Sequence, residues 1–140
     1  MAIKADPNFK KEISMMPGGE NLLQCYLCGT CTAGCPVSEI DDTYSPRTIM
    51  RLALIGSRKE LLSSPEIWKC SQCHVCVAHC PQDARPADVI RVLRNLAVKE
   101  GYITPETACR FDRVEEEIRS MRISMIKRTI EAEFAETEEE

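Results

Sequence analysis

Residues 25–36 read CYLCGTCTAGCP and residues 70–81 read CSQCHVCVAHCP. Both are C-x2-C-x2-C-x3-C-P: Cys25, Cys28, Cys31, Cys35 and Pro36 in the first copy, Cys70, Cys73, Cys76, Cys80 and Pro81 in the second. Eight thiols at matched spacing constrain this chain more than any other feature. The likeness continues past the cysteines, with SPRTIMRLALIG after the first copy and RPADVIRVLRNLA after the second. Setting Pro46 on Pro86 places Ile49 on Val89, Met50 on Ile90, Arg51 on Arg91, Leu52 on Val92 and Ala53 on Leu93. Each copy is therefore a cysteine run, a loop and a helix with proline in its first turn. The first loop is five residues longer than the second.

Four chemistries use dense cysteines: disulfides, covalent haem, zinc and iron–sulfur clusters. The chain has nine cysteines, an odd number, so full pairing is impossible. Its first residues include Asp6, Pro7, Lys10, Lys11 and Glu12 with no apolar stretch, so no export signal is read and a cytoplasmic protein is expected. Cytosolic thiols are kept reduced, which argues against structural disulfides. Residues 70–74 do spell the C-x-x-C-H of haem attachment, but the twin has Gly29 where the second copy has His74. Zinc hooks are C-x2-C pairs separated by a longer gap. Four cysteines in one short run, followed by proline and then repeated, are the pattern of iron–sulfur binding, and the expected cofactors are two [4Fe–4S] clusters.

The spacing has a physical reason. A cubane offers four irons at its corners, each needing a thiolate. Three cysteines at x2 intervals wrap three corners through tight turns that aim backbone N–H groups at sulfur. The fourth lies too far along, and in two-cluster ferredoxins it ligates the other cluster. Carried over, that pattern assigns Cys25, Cys28, Cys31 and Cys80 to one cluster and Cys70, Cys73, Cys76 and Cys35 to the other.

Strand patterns are weak between and after the motifs. Residues 46–55 read as an apolar-rich helix, residues 59–62 as a short helical piece, and Ser64-Pro65 as a turn leading through Trp68 to Cys70. Residues 86–100 read as an amphipathic helix ended by Gly101. Residues 22–28 read as a helical lead into the first motif. The expected fold class is all-α: an alpha-helical ferredoxin plus a long C-terminal helix. Residues 1–19 are expected as an arm, 20–104 as the two-cluster domain, and 105–140 as the helix and acidic tail. The tail, EAEFAETEEE, reads as a solvated, frayed terminus.

Residues 21–102 resemble the iron–sulfur C subunit of heterodisulfide reductases, on CYLCGTCTAGCP, SPRTIMRLALIG, IWKCSQCHVCVAHCP and RPADVIRVLR. The resemblance implies an electron conduit. A flavin-bearing subunit delivers electrons, and two clusters pass them to a subunit whose noncubane iron–sulfur centre reduces a disulfide. The chain has no G-x-G-x-x-G and no adjacent cysteine pair, so no catalytic residue is assigned and substrate chemistry is expected elsewhere. Alternatives are a free-standing ferredoxin, or the iron–sulfur subunit of another membrane-linked complex. The net charge of −4 offers no sign of a nucleic-acid partner, and no segment reads as a transmembrane span.

Several other residues have two readings. His74 and His79 either tune the second cluster or face solvent or a partner. Arg47 and Arg85 either balance cluster charge or are ordinary helix-start residues. Tyr26 and Trp68 are read as packing shields, and Cys109 as a small buried apolar residue. Phe111, Val114, Ile118, Met121 and Met125 form one apolar stripe, and Ile123, Ile126, Ile130 and Phe134 a second. These stripes either dock on a partner or cap the chain's own core.

Overall fold

The structure, a computed structural model, describes residues 4–135. Among them there are eight α-helices and no strand, which is the all-α class expected. The chain divides into two compact units between Thr104 and Pro105.

The first unit holds seven helices: α1 (Phe9–Ser14), α2 (Thr30–Ala33), α3 (Pro36–Ile40), α4 (Pro46–Ile55), α5 (Arg58–Leu62), α6 (Val75–His79) and α7 (Pro86–Lys99). The repeat is visible in the topology. A short helix emerges from each cysteine run (α2, α6), and a longer proline-led helix follows (α4, α7). The equivalent members pack in pairs, α2 on α6 and α4 on α7.

Local chemistry explains where the long pair begins and ends. Ser45 caps α4, its Oγ accepting the Thr48 N–H at 3.2 Å, and Pro46 opens the helix with a φ already suited to it. Gly56 closes α4 at φ +83°. A side chain there would strike the Asp6 carbonyl, because the Asp6 N–H donates to the Gly56 carbonyl at 2.8 Å. Pro86 opens α7 in the same way. Its first turn carries Asp88, buried beneath Arg85 (2.7 Å) and Arg91 (3.1 Å), where the helix dipole also favours a carboxylate. Along α7, Ile90, Leu93 and Leu96 are fully buried, each worth about 1.5–3 kcal/mol in water-excluded surface.

Two expectations change here. Residues 4–19, the described part of the expected arm, pack on the domain instead. Phe9 and Ile13 of α1 are 0% exposed and belong to the same core as Met50, Ala53, Leu93 and Leu96. Arg58 secures this segment from the far side, pairing with Asp6, Glu12 and Glu100 while lying 5.0 Å from the Phe9 ring centroid. The apolar spacing of Phe9 and Ile13 was the available signal, hidden among charged neighbours. Residues 22–28 are also not one helix. Only Leu22–Gln24 is helical, as a single 3-10 turn, and Cys25 is already extended.

The second unit is one helix, α8 (Pro105–Ala135), of 31 residues, about 46 Å long at a rise of about 1.5 Å per residue. The start of the acidic tail is therefore helical, and residues 136–140 lie outside the described residues. Among the described residues no helix is long and apolar enough to cross a membrane. Cys109, read as buried, is exposed on α8.

Candidate metal centre

The eight motif cysteines fall around two cavities. The first is lined by Cys25, Cys28, Cys31 and Cys80, the second by Cys35, Cys70, Cys73 and Cys76. Each cavity thus takes three sulfurs from one run and the fourth from the other. Cys31, Cys76 and Ala87 form one small buried cluster, so the cavities share a wall at the α2–α6 contact. Among the described residues no three His, Cys, Asp or Glu side chains converge on a single ion; the thiols surround a volume instead.

The backbone bends twice to make each ring of sulfurs. Leu27 and Gln72 occupy the same place in the two runs and both are left-handed, at φ +61° and +52°. Gly29 and His74, two residues on, are left-handed as well, at +89° and +61°. Such a conformation costs a non-glycine residue about 1–2 kcal/mol, so three of these four positions are strained. The bends turn amide groups toward sulfur, the backbone nest that suits an anionic centre. The Gln72 N–H points at Cys70 Sγ (3.4 Å), with the Gln72 side-chain amide adding a second donor at 3.3 Å. The Leu27 N–H acts on Cys25 in the equivalent way. In the return leg the Ala84 N–H reaches Cys80 Sγ at 3.3 Å.

Thiol acidity follows these surroundings. Burial pushes Cys25 and Cys31 up and Cys76 up to about 12. Hydrogen bonding from Thr30, whose hydroxyl is 3.3 Å away, lowers exposed Cys28. A metal centre binds thiolates, so loading the buried positions releases protons.

The supporting residues differ between cavities. Arg47 lines the first. Its Nε donates to the Leu27 carbonyl at 2.7 Å, and its N–H to Thr32 Oγ1 at 3.1 Å, so it braces one strained bend and sets a cation beside the sulfurs. Arg85, by contrast, faces Asp83 and Asp88. Tyr26 lines the first cavity but is 58% exposed, a partial shield. Trp68 packs against the core beneath Arg94, 5.3 Å from its ring centroid. Arg94 was not legible as a site residue; it donates to the carbonyls of Ile67, Trp68 and Cys70, clamping the approach to the second run. His74 is exposed on the rim of the second cavity, and the His79 ring lies across Gly34 of α2.

This donor set fits iron–sulfur cubanes: four thiols per cavity, amide donors on the sulfurs and largely apolar walls. The profile of the 4Fe-4S dicluster domain matches residues 21–84. The C subunit of an H(2):CoB-CoM heterodisulfide,ferredoxin reductase from Methanothermobacter thermautotrophicus is 38% identical over 100 residues, covering 71% of this chain and 53% of that one. The iron-sulfur C subunit of the CoB--CoM heterodisulfide reductase of Methanopyrus kandleri is 37% identical over 105 residues, covering 70% and 54%. The C subunit of a ferredoxin:CoB-CoM heterodisulfide reductase from Methanosarcina acetivorans is 40% identical over 85 residues, covering 61% and 34%. Over most of its length the chain is a homologue of heterodisulfide reductase C subunits. Its dicluster domain, with two four-cysteine sets, is a two-[4Fe–4S] domain. It spans about half the length of the first curated relatives it matches.

Proposed function

We propose that this chain is the iron–sulfur electron-transfer subunit of a heterodisulfide reductase-like complex, relaying electrons from a flavin-containing subunit to a cysteine-rich subunit that reduces a disulfide or related sulfur compound. Cys25, Cys28, Cys31 and Cys80 hold one cluster; Cys35, Cys70, Cys73 and Cys76 hold the other. A [4Fe–4S] centre takes up and gives back single electrons, with a potential set by hydrogen bonds, nearby charge and exposure. The observation that carries this reading is the pair of four-cysteine cavities sharing one wall, which makes two stations in series. Around them the chain supplies amide donors, one arginine and an apolar shell.

The second unit supports a role within an assembly. Val114, Ile118, Met121 and Met125 of one stripe and Ile123 and Ile130 of the other are about half exposed or more. A single helix has no second layer on which to bury them, and helix-in-groove docking on another subunit is the reading they support.

Anaerobic isolation of the native protein tests the proposal. A stable assembly with a flavin-bearing polypeptide is expected, in which reducing the flavin makes both clusters of this chain paramagnetic. A lone monomer whose clusters stay oxidised while such a flavoprotein is reduced beside it would sink the relay reading.

A further inference from the structure

Tyr44 is 1% exposed and the bulkiest of the fully buried side chains. Its hydroxyl makes no hydrogen bond of ordinary geometry with the protein. Burying a hydroxyl without a partner is costly, so a native structure keeps such a group where something unusual meets it. Tyr44 lines the second cavity beside Cys35, Cys70, Cys73 and Cys76. A phenol carries its proton at neutral pH and so is available as a donor.

The fold delivers this side chain on purpose-built backbone. The Tyr44 N–H donates to the Asp41 carbonyl at 3.1 Å, and Ser38 Oγ donates to the Tyr44 carbonyl at 2.9 Å. Lys69 holds the Asp41 carboxylate at 2.7 Å, with Thr43 Oγ1 on the same carboxylate. The five additional residues of the first loop make this turn. In the second copy, the position two residues before the proline is Ala84, which lines the first cavity and carries no polar side-chain atom. Only the second cavity receives a buried phenol, since Tyr26 at the first is 58% exposed.

We propose that Tyr44 donates its O–H to the sulfur shell of the cluster held by Cys35, Cys70, Cys73 and Cys76, and so raises the reduction potential of that cluster alone. This rests on the ligand grouping given above. The added electron makes the sulfurs more basic, so a donor stabilises the reduced state more than the oxidised one. A buried donor in a low-dielectric wall acts more strongly than one in water.

Tyr44→Phe keeps the ring and removes the donor. The full chain, reconstituted anaerobically, is titrated potentiometrically by electron paramagnetic resonance. Cys28→Ser and Cys73→Ser mark which signal belongs to which cavity. The expected result is unchanged iron content, a lower midpoint for the Cys73-marked cluster, an unmoved midpoint for the Cys28-marked one, and loss of one exchangeable deuteron coupling from the former in D2O. Unchanged midpoints, or a shift confined to the Cys28-marked cluster, would overturn the role of Tyr44. Failure of the ligand grouping shows separately: Cys80→Ser would then alter the same signal as Cys73→Ser. A Tyr44→Phe shift in whichever cluster Cys70→Ser marks would still support the tyrosine.

Discussion

The two cavities come from one repeated pattern but differ in their walls. Where the backbone must present sulfur, they agree: left-handed bends at Leu27 and Gln72, and again at Gly29 and His74. Where side chains meet the cavity, they part. Pro46 lines the second cavity and Arg47 the first; Pro86 lines the first and Ala87 the second. The first cavity therefore receives Arg47 and Ala84, the second Tyr44 and Ala87. A cation beside one centre and a buried phenol beside the other are two different ways to favour a reduced cluster. Duplication preserved the geometry that a cubane demands and left its electronic surroundings free to diverge.

The harshest perturbation is removal of one crossing thiol. Cys80→Ala is expected to lose the cluster of the first cavity and Cys35→Ala that of the second, each taking iron from about eight to about four per chain. If Cys80→Ala instead lost the signal marked by Cys73→Ser, the copies would be self-contained. Next in size is the left-handed position. Gly29→Ala adds a Cβ 3.3 Å from Arg47 Cδ at φ +89° and is expected to cost about 1–2 kcal/mol. His74→Gly relieves the same strain in the twin and is expected to stabilise it by less than about 1 kcal/mol, since glycine also frees the unfolded chain. Anaerobic urea midpoints of the reconstituted proteins measure both; a loss on His74→Gly would mean that its side chain matters more than its backbone.

A smaller effect is expected from Arg47→Gln, which removes the cation but keeps a donor near the Leu27 carbonyl. The first cluster's midpoint should fall while the second stays in place, as read by potentiometric titration. Equal shifts in both would mean that the arginine acts as part of the overall field. The smallest is Lys69→Met, which releases the turn carrying Tyr44. Hydrogen exchange at the Asp41 and Tyr44 amides should quicken, with no matching change near Ala84. Lys69 and Thr43 hold the Asp41 carboxyl down at about 2. A depressed carboxyl stabilises above its ordinary range and loses that contribution only as pH falls through its folded value. The tie should therefore be indifferent to pH between about 6 and 9 and weaken with salt.

Much of this was legible. The spacing announced the eight thiols and the cofactor type, because few chemistries need four cysteines in so short a run. Pro46, Pro86, Gly56 and Gly101 marked helix limits through their own backbone preferences. Other parts were hidden. Phe9 and Ile13 joined the core because α4, α7 and Arg58 supplied a groove that no local pattern reveals. Cys109, read as a small buried apolar residue, is exposed on α8, and no local pattern distinguishes the two outcomes.

By itself, the sequence determined that the chain has two like halves, each with four soft ligands and a proline-led helix, because those properties reside in residue type and spacing. Only the tertiary structure decided which sulfurs share a cavity, which of two paired arginines faces one, and that a tyrosine from the longer loop reaches the other. Those outcomes depend on how α2 meets α6 and α4 meets α7, and contacts between residues distant along the chain are set by packing, which no short stretch encodes.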